Sequence, residues 1–293
     1  MSDYVIVTDS TSDLSPEMIK QHQIEVIPME VIQGDHVFQH YPDARNLSFQ
    51  EFYNRVRKGE GAKTSQINTQ TYLEVFGSIL EQGKNILYIA FSSGLSGSYQ
   101  NSLSAVQELK NKYSDRKIIV VDSLSASGGE GYLVYHTALQ KAQEKTIEEA
   151  AAWAEEHKLL INHLFVVDDL HHLQRGGRIS HTAAIAGSIL SIKPLLNFDN
   201  EGKMAVRDKI RTRRKSLKEL VNRMQQNYKP LQPKEEDVIF ISHGDCAEDA
   251  QYVADLVKET FKVKEVVITY IGPVIGAHSG PNTVALFYFG DSR

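Results

Sequence analysis

Cysteine is nearly absent from this chain of 293 residues, which contains only Cys246. A single cysteine cannot form an internal disulfide, and the residues after Met1 enter a strand-like run at Tyr4 without the apolar core of a signal peptide. Both observations predict a cytoplasmic protein. Apolar runs of the ~18 residues that a membrane-spanning helix needs are absent too, so we expect no integral membrane association, while transient contact with a membrane surface stays open.

A strong excess of either charge is also lacking, since 32 basic and 37 acidic residues give a formal net charge of -5. Such a protein has no overall field that attracts a polyanion, so we expect no general binding to nucleic acid. The alternative of a regulatory nucleic-acid-binding protein would depend on the basic cluster from Lys209 to Lys215, and the net charge disfavours it.

Patterns that mark metal centres, nucleotide loops and nucleophilic serines are missing. The eleven histidines include His36 with His40 and the adjacent His171 and His172, but neither pair belongs to a three- or four-ligand spacing. The segments rich in glycine and serine contain neither a Walker loop nor a G-x-S-x-G elbow. We expect no metal and no cofactor, and we interpret Cys246 as a packing residue rather than a reactive thiol.

Short β-branched runs alternate with segments of helical periodicity over the first half of the chain. Two of the helices have recognisable starts, because Ser48 precedes Glu51 and Thr146 precedes Glu149 with the spacing of a capping box. Alternation of this kind predicts an α/β protein with mainly parallel sheets covered by helices.

A second series of strand-like runs begins after residue 161. We therefore predict two lobes, an N-terminal α/β lobe over residues 1–161 and a C-terminal α/β lobe over 162–293, with a ligand between or beneath them. The segment from Ala183 to Ile192 is apolar nearly all round, which predicts a helix that is buried on several faces or lines a cavity.

Hydroxyl-bearing residues and glycines gather where predicted strands end, in the segments Thr8 to Asp13, Lys63 to Gln66, Ser92 to Ser98, and Ile271 to Gly280. Turns and helix caps explain each segment alone, but four of them favour a shared binding site at the carboxyl ends of the strands. The loop from Ser92 to Ser98 suits an oxyanion, because its glycines let the backbone approach a ligand while its serines donate hydrogen bonds. At this point His278 could be a general base, a metal ligand or a hydrogen-bond donor.

Two basic clusters, Arg175 to Arg178 and Lys209 to Lys215, occur in this net acidic chain. The second has five basic residues in seven and lies at a predicted helix start, where cations oppose the helix dipole. Contact with a phosphate or an acidic partner explains such a cluster better than solvation of a helix end.

In order and spacing, a set of motifs resembles the DegV family along essentially the whole chain. These motifs are Thr8-Asp9-Ser10-Thr11-Ser12-Asp13-Leu14, Thr64-Ser65-Gln66, Ser92-Ser93-Gly94-Leu95-Ser96-Gly97-Ser98-Tyr99, Asp122-Ser123, Leu173-Gln174-Arg175-Gly176-Gly177-Arg178-Ile179-Ser180, Lys193-Pro194, Arg211-Thr212 and Gly272-Pro273-Val274-Ile275-Gly276-Ala277-His278. Single motifs such as Thr-Ser-Gln carry little information, whereas the whole set is highly specific.

The resemblance implies a two-lobed protein that buries one long-chain fatty acid in an apolar tunnel. It also implies that the protein is not itself an enzyme, and that it presents the carboxylate to a separate ATP-dependent fatty acid kinase, which forms an acyl phosphate for phospholipid synthesis. The residues implied for the carboxylate site are Thr64 or Ser65, Ser93, Ser96 and His278. The residues implied for contact with the kinase or with phosphate are Arg178 and Arg211.

One enzymatic alternative also uses these residues. A small-molecule phosphotransferase or hydrolase could act through the Ser93 loop and His278, as the likeness of the fold to dihydroxyacetone kinase domains suggests. The missing nucleotide loop disfavours this alternative.

Overall fold

Three β-sheets with helices packed on them form the part of the chain that the computed structural model describes, namely residues 4–168, 170–180 and 192–293. The strands are β1 (Tyr4–Asp9), β2 (Glu25–Ile27), β3 (Met29–Gln33), β4 (His36–His40), β5 (Ala62–Ser65), β6 (Asn85–Ala90), β7 (Ile118–Asp122), β8 (Ile161–Val166), β9 (Ile192–Phe198), β10 (Met204–Arg211), β11 (Val238–His243), β12 (Glu265–Tyr270) and β13 (Val284–Phe289). The α-helices are α1 (Pro16–His22), α2 (Phe49–Arg57), α3 (Thr69–Glu81), α4 (Ser98–Lys112), α5 (Gly128–Ala142), α6 (Ile147–His157), α7 (His171–Arg175), α8 (Arg213–Asn227), α9 (Ala247–Phe261) and α10 (Pro273–Ser279).

The first sheet has the strand order β2-β1-β6-β7, and all of its pairs are parallel. Its central strand β6 is buried from Ile86 to Ala90, as expected of a strand that is covered on both faces. Helix α4 connects β6 to β7, which gives the parallel crossover that the alternating sequence pattern predicts. The prediction of an α/β fold is therefore confirmed.

The prediction of mainly parallel sheets holds for this first sheet and needs correction for the other two. The second sheet, β10-β9-β8-β13-β11-β12, contains one parallel pair, β11 with β12. Only residues 199–203 separate β9 from β10, and so short a connection forms a hairpin because a parallel crossover needs a dozen or more residues. The third sheet, β4-β3-β5, is antiparallel throughout.

Helix α5 lies between the first and second sheets and contacts strands of both. Ten of its residues are buried, which explains why it has little amphipathic character. The largest cluster of buried apolar side chains joins the two sheets through it and includes Ile6 from β1 and Phe240 from β11. A division at residues 161/162 falls at the start of β8, and the two-lobe description stays a prediction.

The helix starts follow the sequence rules. Thr146 forms both arms of its capping box with Glu149, and the Ser48 side chain accepts a hydrogen bond from the backbone amide of Glu51. The apolar segment from Ala183 to Ile192, predicted to line a cavity, lies outside the described residues except for Ile192. That residue is the first of β9. Among the helices that the structure describes, none is both long and apolar enough to cross a bilayer.

Candidate functional site

A cavity of about 400 Å³ lies where the carboxyl end of β6, the strand β5 and helix α10 meet. Its apolar lining residues are Met29, Phe91, Leu95, Met204, Val274 and Ile275. The other lining residues are Thr64, Gln66, Ser96, Gly97, Arg178, His278 and Ser279. The volume is within the range of about 300–1,000 Å³ that small-molecule sites occupy, and the lining combines an apolar wall with a polar end.

Thr64 and His278 form the centre of the polar end. The hydroxyl oxygen of Thr64 is 2.9 Å from Nε2 of His278, although 214 positions separate the two residues in the sequence. Strand β5 presents Thr64 to the cavity, and successive side chains of a strand point to opposite faces, so Ser65 points away from it. The structure thus brings Thr64 together with His278 and leaves Ser65 outside.

The imidazole of His278 is neutral at physiological pH. Burial lowers its pKa to about 4, and the nearby charges of Arg178 and Arg175 act in the same direction. Its Nδ1 is buried without a hydrogen-bond partner among the described residues, and a β-carbon at Gly176 would lie 2.1 Å from that atom. Because a buried N–H without a partner is rarer than a bare acceptor, the proton belongs on Nε2 and is donated to Thr64. The hydroxyl proton of Thr64 is then free for a ligand.

The serine-rich loop after β6 divides its hydroxyl groups among three environments. Ser96 lines the cavity, while Ser92 is buried and donates to the backbone carbonyl of Gly202 at 2.8 Å. Ser93 is exposed, and its backbone amide donates to Oδ1 of Asp122 at 3.1 Å. The predicted pair of Ser93 and Ser96 is therefore separated, because the loop turns after β6 and directs only Ser96 toward His278.

The two predicted arginines occupy different places. Arg178 lines the cavity and also a neighbouring cleft of about 530 Å³, which shares Thr64 and His278 with it. Lys63 and Arg175 line the same cleft, so it is basic. Arg211 is exposed at the far end of β10, about 20 Å along the strand from the cavity residue Met204 at a rise of about 3.3 Å per residue. A small head group cannot contact both arginines.

Several lining residues have no signal in the sequence. Met29 and Met204 come from different sheets, and an isolated methionine in a strand looks like any core residue. Gln66 does have a signal in the sequence, since it ends the same polar segment as Thr64. It packs tightly against the serine-rich loop, because a β-carbon at Gly97 would lie 2.3 Å from its side-chain oxygen. No group of three or more potential metal ligands lies together within residues 4–168, 170–180 and 192–293.

Chemically, this site can hold an elongated molecule with one oxygen-bearing end. The apolar wall accepts a hydrocarbon, while Thr64 and Ser96 offer hydroxyl groups and Arg178 adds a positive charge. The histidine orients the threonine and does not carry a charge itself.

Comparisons with known proteins match this chain over nearly its whole length. Residues 3–291 match the model of the DegV family, described as an uncharacterised protein family. A DegV domain-containing protein of Clostridium perfringens is 42% identical over 293 residues, which cover 100% of this chain and 99% of the relative. The crystal structure of DegV, a fatty acid binding protein from Bacillus subtilis, is 28% identical with a TM-score of 0.83 and covers 99% of this chain and 100% of that one.

A third comparison shows the same fold at lower identity. The fatty acid kinase (Fak) B3 protein of Streptococcus pneumoniae, loaded with linoleic acid, is 20% identical with a TM-score of 0.85, covering 99% of this chain and 100% of that one. The family match, the identity to the curated relative and the end-to-end agreement of fold lead to one conclusion. This chain belongs to the DegV family.

Proposed function

We propose that this protein is a cytoplasmic carrier that binds one long-chain fatty acid with its tail in the apolar cavity and its carboxyl group at Thr64, Ser96 and His278. The observation that carries the proposal is the joining of an apolar wall to the Thr64–His278 pair in one cavity. Two structures of the same fold support it, since the Bacillus subtilis protein is a fatty acid binding protein and the Streptococcus pneumoniae protein was loaded with linoleic acid.

Binding energy for such a ligand comes mainly from the tail. Each buried methylene contributes about 0.8 kcal/mol, so a chain of about sixteen carbons contributes about 12 kcal/mol, which exceeds the roughly 8 kcal/mol of micromolar affinity before the costs of association. The protein then has only to satisfy the oxygen atoms of the head group. The hydroxyls of Thr64 and Ser96 can do this, with the neutral imidazole of His278 orienting Thr64.

The basic cleft beside the cavity supports a second step, presentation of the carboxyl group to a separate ATP-dependent fatty acid kinase. Thr64, Arg178 and His278 line both the cavity and the cleft, so a head group at these residues can be approached from the cleft. Lys63 and Arg175 are exposed there and suit the negative charge of a phosphoryl group or of an acidic partner surface. In this account the kinase performs the chemistry and the protein performs none.

The enzymatic alternative has no specific support in the site. His278 donates to Thr64 and its pKa is lowered to about 4, so it is a weak base at physiological pH. Ser93, the serine that this alternative needs, is exposed and does not line the cavity with His278.

A matched pair of variants tests the head-group site. Thr64→Val keeps the shape of the side chain and removes its hydroxyl, so palmitate affinity should fall about 5- to 150-fold, the equivalent of 1–3 kcal/mol for a buried group that loses its partner. Ser65→Ala, one residue along the strand on the opposite face, should change the affinity by less than about twofold. Isothermal titration with palmitate measures both, and equal losses in the two variants would contradict the assignment.

A coupled assay tests the presentation step. Protein loaded with palmitate, a fatty acid kinase and ATP should yield acyl phosphate, trapped with hydroxylamine, whereas the protein with ATP and no kinase should yield none. Formation of acyl phosphate without the kinase would favour the phosphotransferase alternative instead.

A further inference from the structure

A chain of hydroxyl groups leads from the cavity into the core. Ser96, which lines the cavity, has its Oγ 3.0 Å from Oγ of Ser98. Burial raises the pKa of Tyr72 and the neighbouring side chain of Ser98 opposes this shift, while the Tyr72 hydroxyl lies 2.8 Å from that of Tyr88. The Tyr88 hydroxyl donates to Oδ2 of Asp9 at 3.0 Å. We call these five residues the hydroxyl relay, and all of them except Ser96 are shielded from solvent.

Asp9, at the inner end, is surrounded by donors. Its Oδ1 accepts from the backbone amide of Thr11 at 3.0 Å and from the Thr11 hydroxyl, while its Oδ2 accepts from Tyr88 and from the amide of Phe91 at 3.3 Å. The Thr11 hydroxyl also lies 2.8 Å from Oε2 of Glu130. This hydroxyl has one proton for two carboxyl groups, so one of them must be protonated for both bonds to form.

Glu130 is the carboxyl group that holds this proton. Asp9 receives four hydrogen bonds, which stabilise its charge, whereas Glu130 receives its bonds from two shared hydroxyls, those of Thr8 and Thr11. Burial, together with the charge of Asp9, raises the pKa of Glu130 well above its ordinary value. Burial raises the pKa of Asp9 as well, but its four hydrogen bonds oppose that shift, so Asp9 is the more acidic and the ionised group of the pair.

The charge on Asp9 fixes the direction of every bond in the relay, because each hydroxyl has only one proton to donate. With Asp9 ionised, Tyr88 donates to Asp9, Tyr72 to Tyr88, Ser98 to Tyr72 and Ser96 to Ser98. Ser96 then turns lone pairs toward the cavity. Protonation of Asp9 allows all these bonds to reverse without the loss of any, and Ser96 then donates into the cavity.

We propose that the hydroxyl relay couples the head-group site to Asp9, so that a carboxylate binds at Ser96 together with the uptake of one proton at Asp9. The inference rests on the proposed fatty acid binding and adds a mechanism to it. Asp9, Tyr88, Tyr72 and Ser98 are positioning residues in this account, since they act on the ligand through Ser96.

The protons balance by either route of entry. An ionised ligand binds while a proton from solvent adds to Asp9 and the hydroxyls rotate. A protonated acid instead passes its proton to Ser96, and each hydroxyl passes its own along the relay until Tyr88 delivers one to Asp9. In both cases the site ends with a carboxylate ligand and a neutral Asp9, so the number of buried negative charges stays the same. This matters because burying a second unpaired charge costs several kcal/mol.

Other titratable groups near the two ends of the relay are Glu130, Asp13, His278 and Arg178. Glu130 is already neutral, and burial raises the pKa of Asp13 to about 8, with a smaller contribution from the charge of Asp9. Asp13 accepts hydrogen bonds from Ser127 and from the amide of Gly272, which places its carboxyl group outside the relay. A proton taken up at Asp13 or at His278 would not depend on the tyrosine hydroxyls, so variants of the tyrosines distinguish these sites from Asp9.

The experiment is a titration of the intact protein with decanoate, which is monomeric and ionised at about pH 7. Calorimetry in two buffers of different ionisation enthalpy gives the number of protons taken up. We expect close to one proton per decanoate and a Kd that rises about tenfold per pH unit. Tyr72→Phe, which keeps the ring and interrupts the relay, should take up almost none and have a Kd nearly independent of pH.

Matched variants complete the test. Tyr88→Phe interrupts the relay at a second point and should behave like Tyr72→Phe, so it serves if that variant does not fold. Tyr288→Phe is the control, since Tyr288 is equally buried and its hydroxyl donates to Asn227 outside the relay. It should take up protons as the wild type does. Decanol, which carries no charge, should bind to every variant without proton uptake.

Two results would overturn the relay. One is decanoate binding to the wild type without proton uptake, and the other is uptake that persists in Tyr72→Phe and Tyr88→Phe, which would place the proton on His278 or Asp13. Either result leaves fatty acid binding intact. Failure of the wild type to bind decanoate and palmitate would instead refute the proposed function.

Discussion

Replacing Ser96 with alanine removes the one hydroxyl of the Ser92 to Ser98 loop that lines the cavity. Within the protein, the change deprives the amide of Ser98 of an acceptor at 3.2 Å, which should lower the free energy of unfolding by about 1 kcal/mol. In the complex, a carboxylate loses one of its donors. The affinity for palmitate should fall by a further 1–3 kcal/mol, or about 5- to 150-fold in Kd.

The assay compares an acid and an alcohol of equal chain length. Palmitate and hexadecanol bury the same tail, so the difference between their losses isolates the head group. Ser96→Ala should weaken the acid more than the alcohol, because a neutral hydroxyl needs fewer donors than a carboxylate.

Ser93→Ala is the matched control in the same loop. Because Ser93 is exposed, we expect no change beyond about 0.5 kcal/mol for either ligand. The assignment to Ser96 fails if Ser93→Ala weakens palmitate binding while Ser96→Ala does not. Equal losses for acid and alcohol in Ser96→Ala would likewise show that this serine does not contact the carboxyl group.

Three further predictions concern the partner surface, the packing of the site and the pH dependence of stability. Arg211→Ala should leave palmitate affinity unchanged and slow acyl phosphate formation by the kinase, with a smaller effect in high salt; loss of palmitate binding would place Arg211 at the head group instead. Gly176→Ala should weaken palmitate binding, since its β-carbon would lie 2.1 Å from Nδ1 of His278; unchanged affinity would show that the imidazole can shift without harm. Burial raises the pKa of Asp13 from 3.8 to about 8, so between these pH values the folded state binds more protons than the unfolded state. The free energy of unfolding should therefore fall as pH rises toward 8, by up to about 1.4 kcal/mol per pH unit. Asp13→Asn should remove that part of the slope in urea unfolding between about pH 6 and pH 8, and an unchanged slope would contradict this.

The local pattern of the sequence predicts the parallel first sheet correctly but not the end of its strand β2. The segment from Glu25 to Ile32, rich in valine and isoleucine, looks like a single strand in the sequence, but β2 ends at Ile27 and β3 begins at Met29 in another sheet. Pro28 lies between them and cannot donate a hydrogen bond to a sheet, so the chain changes sheets there. The antiparallel order of the second sheet could not be predicted, because β13, the last strand, inserts between β8 and β11 through long-range pairing.

For the site, motif positions identified the polar end but not its geometry. Period-two alternation allows only one of Thr64 and Ser65 to face the cavity, and the choice depends on the side from which α10 brings His278. The separation of Ser93 from Ser96 depends on how the loop turns, which no periodicity encodes. The hydroxyl relay was also hidden, because Asp9, Tyr72 and Tyr88 look like a helix cap and two core aromatics until the fold joins them.

The central claim is that one fatty acid occupies one site in each chain. Native mass spectrometry of delipidated protein mixed with a few equivalents of palmitic acid tests it most directly, with Thr64→Val as the comparison. The account predicts a single adduct of one palmitate per chain that is largely lost in the variant. Absence of any adduct, or a series of adducts that is the same in wild type and variant, would contradict it.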